Sequence, residues 1–428
     1  MAMKFKKQPS KFIKPSTPTP TPPNLKHYKI GSIDEIAPLV DVPIVLFFTK
    51  NNNHDPTFAV QLEKSLEKTL VQLYPLAGRY IEASQTIECN DEGVEFIQAK
   101  VNIKLEDILL QEANVKSVHE FIPFKTKPSN IVLRVQLTTF ECGGVALGVS
   151  AMHKLVDAST LCTFLNEWAA MNRGESEIKL TRPSFISSSL FPARGLPPMP
   201  TPHQTDDTTL SKLTMKKLSF NESAISNMRA KAIMSRKHDA CRLSKVQLVS
   251  SFIWKALISV DHTTRGYLRE SILFQLISLR ERMASPIPKH SCGNIWGLCA
   301  TNPATAETFE KLTNLSNDAV RKVINDFSRV HHDSEQGQTI VLNSILNFIN
   351  VPETINACSV SSWCKFPFYE ADFGLGKPVL VVPGIMPLKN LALLIDDVGG
   401  NGVEAYICLE VKDVPYFEEA LDMNNFYA

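Results

Sequence analysis

The sequence lacks the features that would place it in a membrane or in an oxidising compartment. Its 428 residues contain no run of about eighteen apolar residues, the length that a membrane-spanning helix needs. The N-terminus has no apolar core of the kind that secretory signals carry. The nine cysteines are odd in number and include no C-x-x-C pair, which argues against a disulfide framework and against a zinc site. We therefore expect a cytoplasmic protein that binds no metal ion.

The sequence also lacks a charge imbalance and the short motifs of several common enzyme classes. A formal net charge of +1 gives no reason to expect nucleic acid or an anionic membrane as a partner. There is no G-x-x-x-x-G-K-[ST] phosphate loop and no G-x-S-x-G nucleophile elbow. Asp372-Phe-Gly matches the kinase triplet, but no H-R-D catalytic loop accompanies it. Nucleotide-dependent phosphotransfer and serine hydrolysis therefore lose their main support.

The length of the chain and the distribution of its prolines predict two domains. A chain of 428 residues exceeds one ordinary hydrophobic core. Residues 183–202 contain six prolines and a serine cluster, which is typical of a linker. We place an N-terminal domain at residues 1–185, a linker at 186–215 and a C-terminal domain at 216–428. Strand and helix patterns are interspersed in both halves, which predicts α/β or α+β layers in each half, with the α/β class favoured.

Two periodic patterns meet around residue 153. The apolar run from Val145 to Ser150 predicts a buried strand, and apolar residues at i, i+3, i+4 and i+7 from Leu161 to Trp168 predict an amphipathic helix. Between them, His153 and Asp157 form an H-x-x-x-D motif, with Asp157 where a helix N-cap belongs. An imidazole at a strand end can be held rigidly while it faces a cavity, which suits a general base.

Other histidines lie in less favourable contexts. A second H-x-x-x-D, from His203 to Asp207, falls in a polar stretch broken by prolines, which offers no scaffold to aim an imidazole. We interpret this copy as chance. His331 and His332 lie in a polar segment and are interpreted as surface residues rather than metal ligands.

The motifs together resemble the BAHD acyltransferases, a plant family that transfers acyl groups from coenzyme A thioesters to alcohols or amines. The resemblance spans nearly the whole chain. Within the family, the sequence is most similar to the branch of alkaloid and terpenoid acetyltransferases. Its motifs include Tyr74-Pro-Leu-Ala-Gly-Arg79, Cys89-Asn-Asp-Glu-Gly93, the histidine motif, Ser278-Leu-Arg280, Gly293-Asn294, Ser361-Ser-Trp-Cys364 and Asp372-Phe-Gly-Leu-Gly376.

The resemblance implies a fold and a mechanism. The fold would comprise two chloramphenicol-acetyltransferase-like domains, each a mixed β-sheet flanked by helices, with the active site in a channel between them. His153 would remove the hydroxyl proton of the acceptor. A base is needed for this step, because an alcohol is a poor nucleophile at neutral pH. The alkoxide would attack the thioester directly. No cysteine lies in a recognisable nucleophile context, so a covalent acyl-enzyme is not indicated.

The resemblance also implies roles for other residues. Ser361 and Trp363 would donate to the developing oxyanion, although Trp363 also fits simple core packing. Asp157 would pair with Arg280 and act structurally rather than orient His153 in a triad. Asp372 would support the structure at a distance from the reacting atoms.

For coenzyme A, the candidates are Ser244 and Lys245 at the start of a predicted helix, since helix N-termini and basic groups bind phosphates. A solvated surface lysine is an equal interpretation of Lys245. Two residues depart from the family pattern. Met152 replaces the usual serine before the histidine, and Leu375 replaces the tryptophan of D-F-G-W-G. The second change should alter packing rather than chemistry.

We expect a monomeric O-acyltransferase of plant specialised metabolism that uses acyl-CoA, with acetyl-CoA favoured, as co-substrate and a small hydrophobic alcohol as acceptor. An N-acyltransferase is the nearest variant, because the same base serves an amine. A catalytically inactive homologue that binds CoA or a metabolite is a second alternative. A third is an interaction protein whose proline-rich residues 1–23 bind SH3-like modules. Hydrophobic pockets discriminate by shape, so no motif identifies the acceptor.

Overall fold

The structure is a computed structural model, and it describes residues 3–17, 26–50, 57–110, 118–123, 129–175, 183–197, 212–233 and 243–422. About half of the predicted linker, with His203 and Asp207, lies outside these residues, as do residues 18–23 of the proline-rich N-terminus.

The strands of the described residues are numbered in chain order. They are β1 Phe5–Lys7, β2 Lys11–Ile13, β3 His27–Lys29, β4 Asp41–Phe48, β5 Arg79–Ile81, β6 Thr86–Glu88, β7 Val94–Val101, β8 Leu133–Phe140, β9 Val145–Met152, β10 Ser184–Phe185, β11 Leu213–Phe220, β12 Ser271–Ser278, β13 Ser291–Cys292, β14 Trp296–Ala300, β15 Asn356–Ser362, β16 Leu380–Pro383, β17 Leu391–Asp396 and β18 Val403–Glu410.

The α-helices are numbered in the same way. They are α1 Ser32–Ile36, α2 Phe58–Gln72, α3 Leu105–Leu110, α4 Ala158–Asn172, α5 Ser187–Leu190, α6 Glu222–Ile233, α7 Lys245–Arg265, α8 Phe309–Ser328, α9 Glu335–Ile349 and α10 Val414–Asp422. Short 3-10 turns occur at Tyr74–Ala77, Glu82–Ser84, Phe368–Glu370 and Val411–Asp413.

The chain divides into two compact units, each built from three segments. Unit 1 contains Met1–Thr201, Pro288–Ile295 and Phe366–Met386, and unit 2 contains Pro202–Ile287, Trp296–Lys365 and Pro387–Ala428. This division differs from the boundaries read from the sequence, because two later segments belong with the N-terminal part. The reason for one of them is a strand pairing: β16 lies antiparallel against β4.

Unit 1 is organised by a mixed seven-stranded sheet in the order β1-β7-β8-β9-β4-β16, with β2 also on β7. Only β7 and β8 are parallel within it. Strands β4 and β9 lie inside the sheet, and both sequences are nearly continuous apolar runs, as expected for strands buried on both faces. Helices α2 and α4 pack together, and the Trp168 indole N–H donates to the Leu62 carbonyl at 3.2 Å.

Unit 2 contains a mixed six-stranded sheet in the order β11-β18-β17-β15-β12-β14. Its central strand β15 is parallel to both neighbours, and the remaining pairs are antiparallel. Helix α7 contributes Phe252 and Trp254, both fully buried, to the core of this unit. The helix ends at Gly266, whose φ of 79° is the left-handed conformation that glycine adopts without strain.

These two units confirm the predicted class, in which mixed sheets are flanked by helices. No helix in the described ranges is long and apolar enough to cross a membrane. Within the same ranges no cluster of three or more His, Cys, Asp or Glu residues could hold a metal ion, and the cysteines that the structure describes are free thiols.

Candidate active site

The histidine motif lies where β9 ends and α4 begins, as the sequence predicts. Strand β9 is held by β4, with Asp41 opposite Met152, and the next residue continues the contact because the His153 N–H donates to the Val40 carbonyl at 2.8 Å. The Leu155 and Val156 N–H groups then bond back to the Met152 carbonyl, which turns the chain toward the helix. His153 is thereby held at a fixed strand end, and its side chain remains partly exposed.

Asn294 holds the histidine from the other side. Its side-chain Nδ2 donates to the His153 carbonyl at 2.6 Å, and its side chain also hydrogen-bonds to the imidazole. Asn294 is fully buried and follows Gly293, whose φ of 106° requires glycine. A side chain at Gly293 would also collide with Ser187. Gly293-Asn294 is one of the motifs that carry the family resemblance, but the sequence alone gave no role for it.

The environment of His153 favours the neutral imidazole. Burial lowers the pKa of His153. This effect outweighs three influences that raise the pKa, which are a hydrogen bond of the ring to the backbone of His153 itself, the charge of Asp157 and a hydrogen bond to the Asn294 side chain. A lowered pKa keeps the ring unprotonated at neutral pH. A neutral imidazole can accept a proton, which is the state that a general base needs.

Asp157 is the N-cap of α4. Its Oδ1 accepts the Thr160 N–H at 2.8 Å, and its Oδ2 accepts the Ile295 N–H at 3.3 Å. Both carboxylate oxygens are thus used by the backbone, which agrees with a structural role. Arg280 is buried in unit 2, and its predicted pairing with Asp157 stays a prediction.

Two charged residues next to the motif were missed by the sequence analysis. Lys154 is 1% exposed, and its Nζ donates to the Glu35 carbonyl at 2.7 Å. Burial lowers the pKa of Lys154 to about 8, although the nearby carboxylates of Asp34 and Glu35 raise it. Asp34 is fully buried and accepts two hydrogen bonds from Asn294. No local pattern identifies these residues, because a buried lysine or aspartate looks like any other polar residue in the sequence.

Ser361 and Trp363 lie together in unit 2, at and just after the end of β15. The Trp363 indole N–H donates to the Ser361 hydroxyl at 3.2 Å, and the Trp363 backbone N–H donates to the Leu394 carbonyl at 2.7 Å. The indole is 3% exposed. The two predicted oxyanion donors therefore form one hydrogen-bonded pair, in which the serine hydrogen remains available to a further acceptor.

The two predicted CoA-binding residues have structural partners. Ser244 is the N-cap of α7 and forms a capping box with Gln247. Lys245 forms an ion pair with Asp396 at 2.7 Å and donates to the carbonyls of Gly400 and Gly402. Its ammonium thus anchors the turn between β17 and β18 rather than extending freely into solvent.

Asp372 organises a tight turn in unit 1. Its Oδ1 accepts the N–H groups of Gly374 at 2.7 Å and Gly376 at 2.9 Å, and both glycines have φ near 90°. The adjoining Phe373 carbonyl accepts from Asn172 of α4 at 2.7 Å. Leu375, at the position where the family carries tryptophan, is partly exposed. The carboxylate is used by the turn itself, in agreement with a structural role.

Six of the described cysteines have a raised pKa, which makes them poor nucleophiles. Burial raises the pKa of four of them to about 12 and that of Cys89 to about 11. The four are Cys299, Cys358, Cys364 and Cys408. A thiol with such a pKa is almost entirely protonated at neutral pH and cannot attack a thioester.

Comparisons with known proteins identify the family. The model of the transferase family matches residues 3–423. Vinorine synthase from Rauvolfia serpentina is 34% identical over 422 residues, covering 95% of this chain and 94% of its own. Limonoid 21-O-acetyltransferase from Melia azedarach is 33% identical over 421 residues, with 96% and 95% covered.

A malonyltransferase that acts on a pelargonidin glucoside in Salvia splendens is 30% identical over 431 residues, with 97% and 98% covered. The crystal structure of vinorine synthase superimposes with a TM-score of 0.82, at 31% identity and with 96% of each chain covered. The chain therefore belongs to the transferase family, in the BAHD group of acyl-CoA-dependent plant acyltransferases and in its vinorine synthase-like branch.

Proposed function

We propose that this protein transfers an acetyl group from acetyl-CoA to the hydroxyl group of a small hydrophobic plant metabolite, with His153 as the general base. The observation that carries the proposal is the placement of His153. Its imidazole is fixed by Asn294, stays partly exposed, and has a pKa lowered by burial. The O-acetyl choice is supported by the limonoid 21-O-acetyltransferase, which is among the relatives of highest identity.

The reaction uses one proton transfer in each direction. The His153 imidazole removes the proton of the acceptor hydroxyl as its oxygen bonds to the thioester carbonyl carbon. The carbon–sulfur bond then breaks, the CoA sulfur leaves with the electron pair, and the imidazolium returns the proton to it. In the proposal, the Ser361 hydroxyl donates to the negative oxygen that forms in between, and Trp363 supports it by donating its indole N–H to Ser361. The raised pKa of six described cysteines supports direct attack without an acyl-enzyme.

The remaining residues carry structural roles in this proposal. Asp157 caps α4 and pairs with Arg280, and Asp372 holds its turn. Ser244 and Lys245 contribute the helix start and a positive charge near the CoA phosphates. Because Lys245 already has Asp396 as a partner, its contribution to CoA is expected to be smaller than that of the helix N-terminus.

The test is release of free CoA thiol from acetyl-CoA in the presence of a panel of hydrophobic alcohols. We expect thiol release with at least one acceptor, and its loss in His153→Ala. His262→Ala is the matched control, because His262 is an exposed histidine on α7 and should leave the rate unchanged. Full activity in His153→Ala would refute the role of His153.

Two further arms test the finer choices. Malonyl-CoA replaces acetyl-CoA, because the Salvia relative is named as a malonyltransferase, and faster turnover with malonyl-CoA would overturn the acetyl assignment. Amines replace alcohols in the second arm, and faster turnover with an amine would establish N-acylation. If acetyl-CoA binds and no acceptor releases thiol, the protein is a CoA-binding homologue without turnover.

A further inference from the structure

The oxyanion pair, Ser361 and Trp363, is followed by a residue with a strained backbone. Strand β15 ends at Ser362, and Lys365 has a φ of 70°. Its side chain lies at the surface. A left-handed conformation costs free energy in a residue that carries a Cβ atom, and such residues cluster where contacts hold functional groups in place. A specific contact must therefore keep Lys365 in this conformation.

The contact is made by the side chain of Asp396, at the end of β17. Strands β15 and β17 are parallel, so N–H groups of one bond to carbonyls of the other at every second residue. The Trp363 N–H donates to the Leu394 carbonyl at 2.7 Å, which makes the Asp396 carbonyl the next acceptor in register for Lys365. Instead, the Lys365 N–H donates to Asp396 Oδ2 at 2.7 Å. The carboxylate thus ends the ladder and holds the left-handed turn.

The Asp396 carboxylate is itself held by the start of helix α7. Its Oδ1 forms an ion pair with Lys245 Nζ at 2.7 Å, and the two side chains are only 20% and 19% exposed. The Cys364 thiol also hydrogen-bonds to Asp396. Helix α7 contributes to the buried core of unit 2, so it is a rigid support. Anchored to this helix, the carboxylate offers a fixed acceptor to the Lys365 N–H.

Trp363 therefore lies between two fixed points. Its own N–H is bound to Leu394, and two residues later the Lys365 N–H is bound to Asp396. The Trp363 indole N–H donates to the Ser361 hydroxyl at 3.2 Å, so the direction of that hydroxyl depends on where the indole lies. Without the carboxylate, the Lys365 N–H is left to the Asp396 carbonyl. The segment then relaxes into an extended continuation of β15, and the indole moves with it.

We propose that Asp396 is a positioning residue for the transfer reaction: its carboxylate ends the β15 ladder, and the turn that follows keeps Trp363 and the Ser361 hydroxyl in place for the developing oxyanion. This inference rests on the proposed function of Ser361 as a donor. The competing role of Asp396 is purely structural, since through Lys245 it also fixes the turn between β17 and β18. The two roles predict different behaviour of kcat and of stability.

Asp396→Ala removes the acceptor of the Lys365 N–H. We expect kcat to fall about 100-fold, the loss that a misplacement of about 1 Å can produce. The KM for acetyl-CoA should stay within about twofold, because the oxyanion exists only in the transition state. Should Asp396→Ala not fold, Asp396→Asn replaces it, because one amide oxygen cannot serve both the Lys245 ammonium and the Lys365 N–H. A raised KM with an unchanged kcat would overturn the proposal.

Asp397→Ala is the matched control, because it removes a neighbouring carboxylate that does not hold Lys365. Asp397 Oδ1 accepts the Gly402 N–H at 2.9 Å, a bond within the turn between β17 and β18. The substitution should lower the melting temperature and leave kcat within about twofold. If kcat instead follows the melting temperature across Asp396→Ala and Asp397→Ala, Asp396 has only a structural role and the proposal is wrong.

Lys365→Gly tests whether the effect passes through the turn. Glycine adopts a positive φ without strain, so the turn depends less on the carboxylate. Added to Asp396→Ala, it should restore kcat by about tenfold, the factor that corresponds to the strain of one left-handed residue. A double variant no faster than Asp396→Ala would show that Asp396 acts by another route and would overturn the proposal.

Ser361→Ala tests whether the effect ends at the serine. Removal of one oxyanion donor costs about 10²–10³ in kcat. Adding Asp396→Ala to Ser361→Ala should cause no further loss, because both changes remove the same donor. Losses that multiply would show that Asp396 does not act through Ser361, and the proposal would be wrong.

A measurement without turnover keeps this inference separate from the proposed function. NMR of protein labelled with ¹⁵N-tryptophan reports each indole N–H, and Trp363→Phe assigns the Trp363 signal. We expect Asp396→Ala, or Asp396→Asn in its place, to shift or broaden that signal, and Asp397→Ala to leave it unchanged. An unchanged Trp363 signal in the Asp396 variant would overturn the role of Asp396. Absence of thiol release from the wild type would overturn only the function.

Discussion

The Asp372 turn offers a sharp test of a structural role at a family motif. In Asp372→Ala the Gly374 and Gly376 N–H groups lose their shared acceptor. Both glycines have positive φ, a conformation that glycine adopts without strain, so the backbone of the turn does not itself oppose the substitution. The neighbouring Asn172 bond to the Phe373 carbonyl remains. The substitution therefore removes two contacts and leaves the rest of the loop in place.

The magnitude follows from these two bonds. Hydrogen bonds to a charged group contribute about 1.5–3 kcal/mol when buried, and partial exposure of Asp372 reduces this to about 1 kcal/mol each. Asp372→Ala should therefore lower the free energy of unfolding by about 2 kcal/mol. For a unit of this size each kcal/mol shifts the melting temperature by about 2–4 °C, so the expected decrease is about 6 °C.

The assay combines thermal unfolding with the thiol-release rate at 25 °C. Asp372→Asn is the matched control, because its amide oxygen can still accept both glycine N–H groups. It should lose only about half as much stability as Asp372→Ala, since the charge is removed and the bonds are kept. Both variants should keep kcat and KM near the wild-type values. A kcat that falls more than about tenfold in folded Asp372→Ala, with little change in melting temperature, would refute the structural reasoning.

Four further predictions concern residues near the histidine and the turn. Burial lowers the pKa of His153, and a general base must be neutral. We therefore expect kcat/KM to be retained down to below pH 6.5 and to be lost as the pH falls through the lowered pKa of His153. A pH–rate profile with an acid limb above pH 6.5 would contradict this. Asp157→Ala should move the acid limb to still lower pH, since the Asp157 charge raises the pKa of His153. The same substitution should lower the free energy of unfolding by about 1 kcal/mol, because it removes the N-cap of α4. Burial lowers the native pKa of Lys154 from 10.5 to about 8. The free energy of unfolding of the wild type, relative to that of Lys154→Met, should therefore rise by about 3 kcal/mol as the pH rises from below 8 to above 10.5. Urea unfolding measures this difference. Leu375→Trp, which restores the usual family residue, should change the melting temperature and leave kcat within about twofold, because Leu375 lies in the Asp372 turn.

The sequence predicted the histidine motif well because its causes are local. An apolar run makes β9, the i, i+3, i+4 spacing makes α4, and Asp157 at the boundary is a residue type that caps helices. Each of these patterns lies within about twenty residues of His153. The position of His153 at a strand end therefore follows from short stretches of sequence.

The partners of the motif could not be predicted from such patterns. Asp34 and Asn294 are 260 residues apart in the chain, and neither belongs to a periodic pattern. The same limit affected the domain boundaries, because a short strand such as β16 carries no mark that assigns it to β4 rather than to a neighbour in sequence. At Lys245 the sequence suggested a ligand and could not show the structural partner. A lysine fits phosphate binding, but the ion pair between Lys245 and Asp396 depends on the fold, which brings the two residues together.

His153 is held in place by contacts to both its backbone and its side chain. The His153 N–H is bound to Val40 and its carbonyl to Asn294, so the main chain of the residue is fixed from both sides. The ring itself hydrogen-bonds to the backbone of His153 and to the Asn294 side chain. Asn294 is held in turn by two hydrogen bonds to the buried carboxylate of Asp34. The position of His153 thus depends on contacts between residues that lie as many as 260 positions apart in the chain.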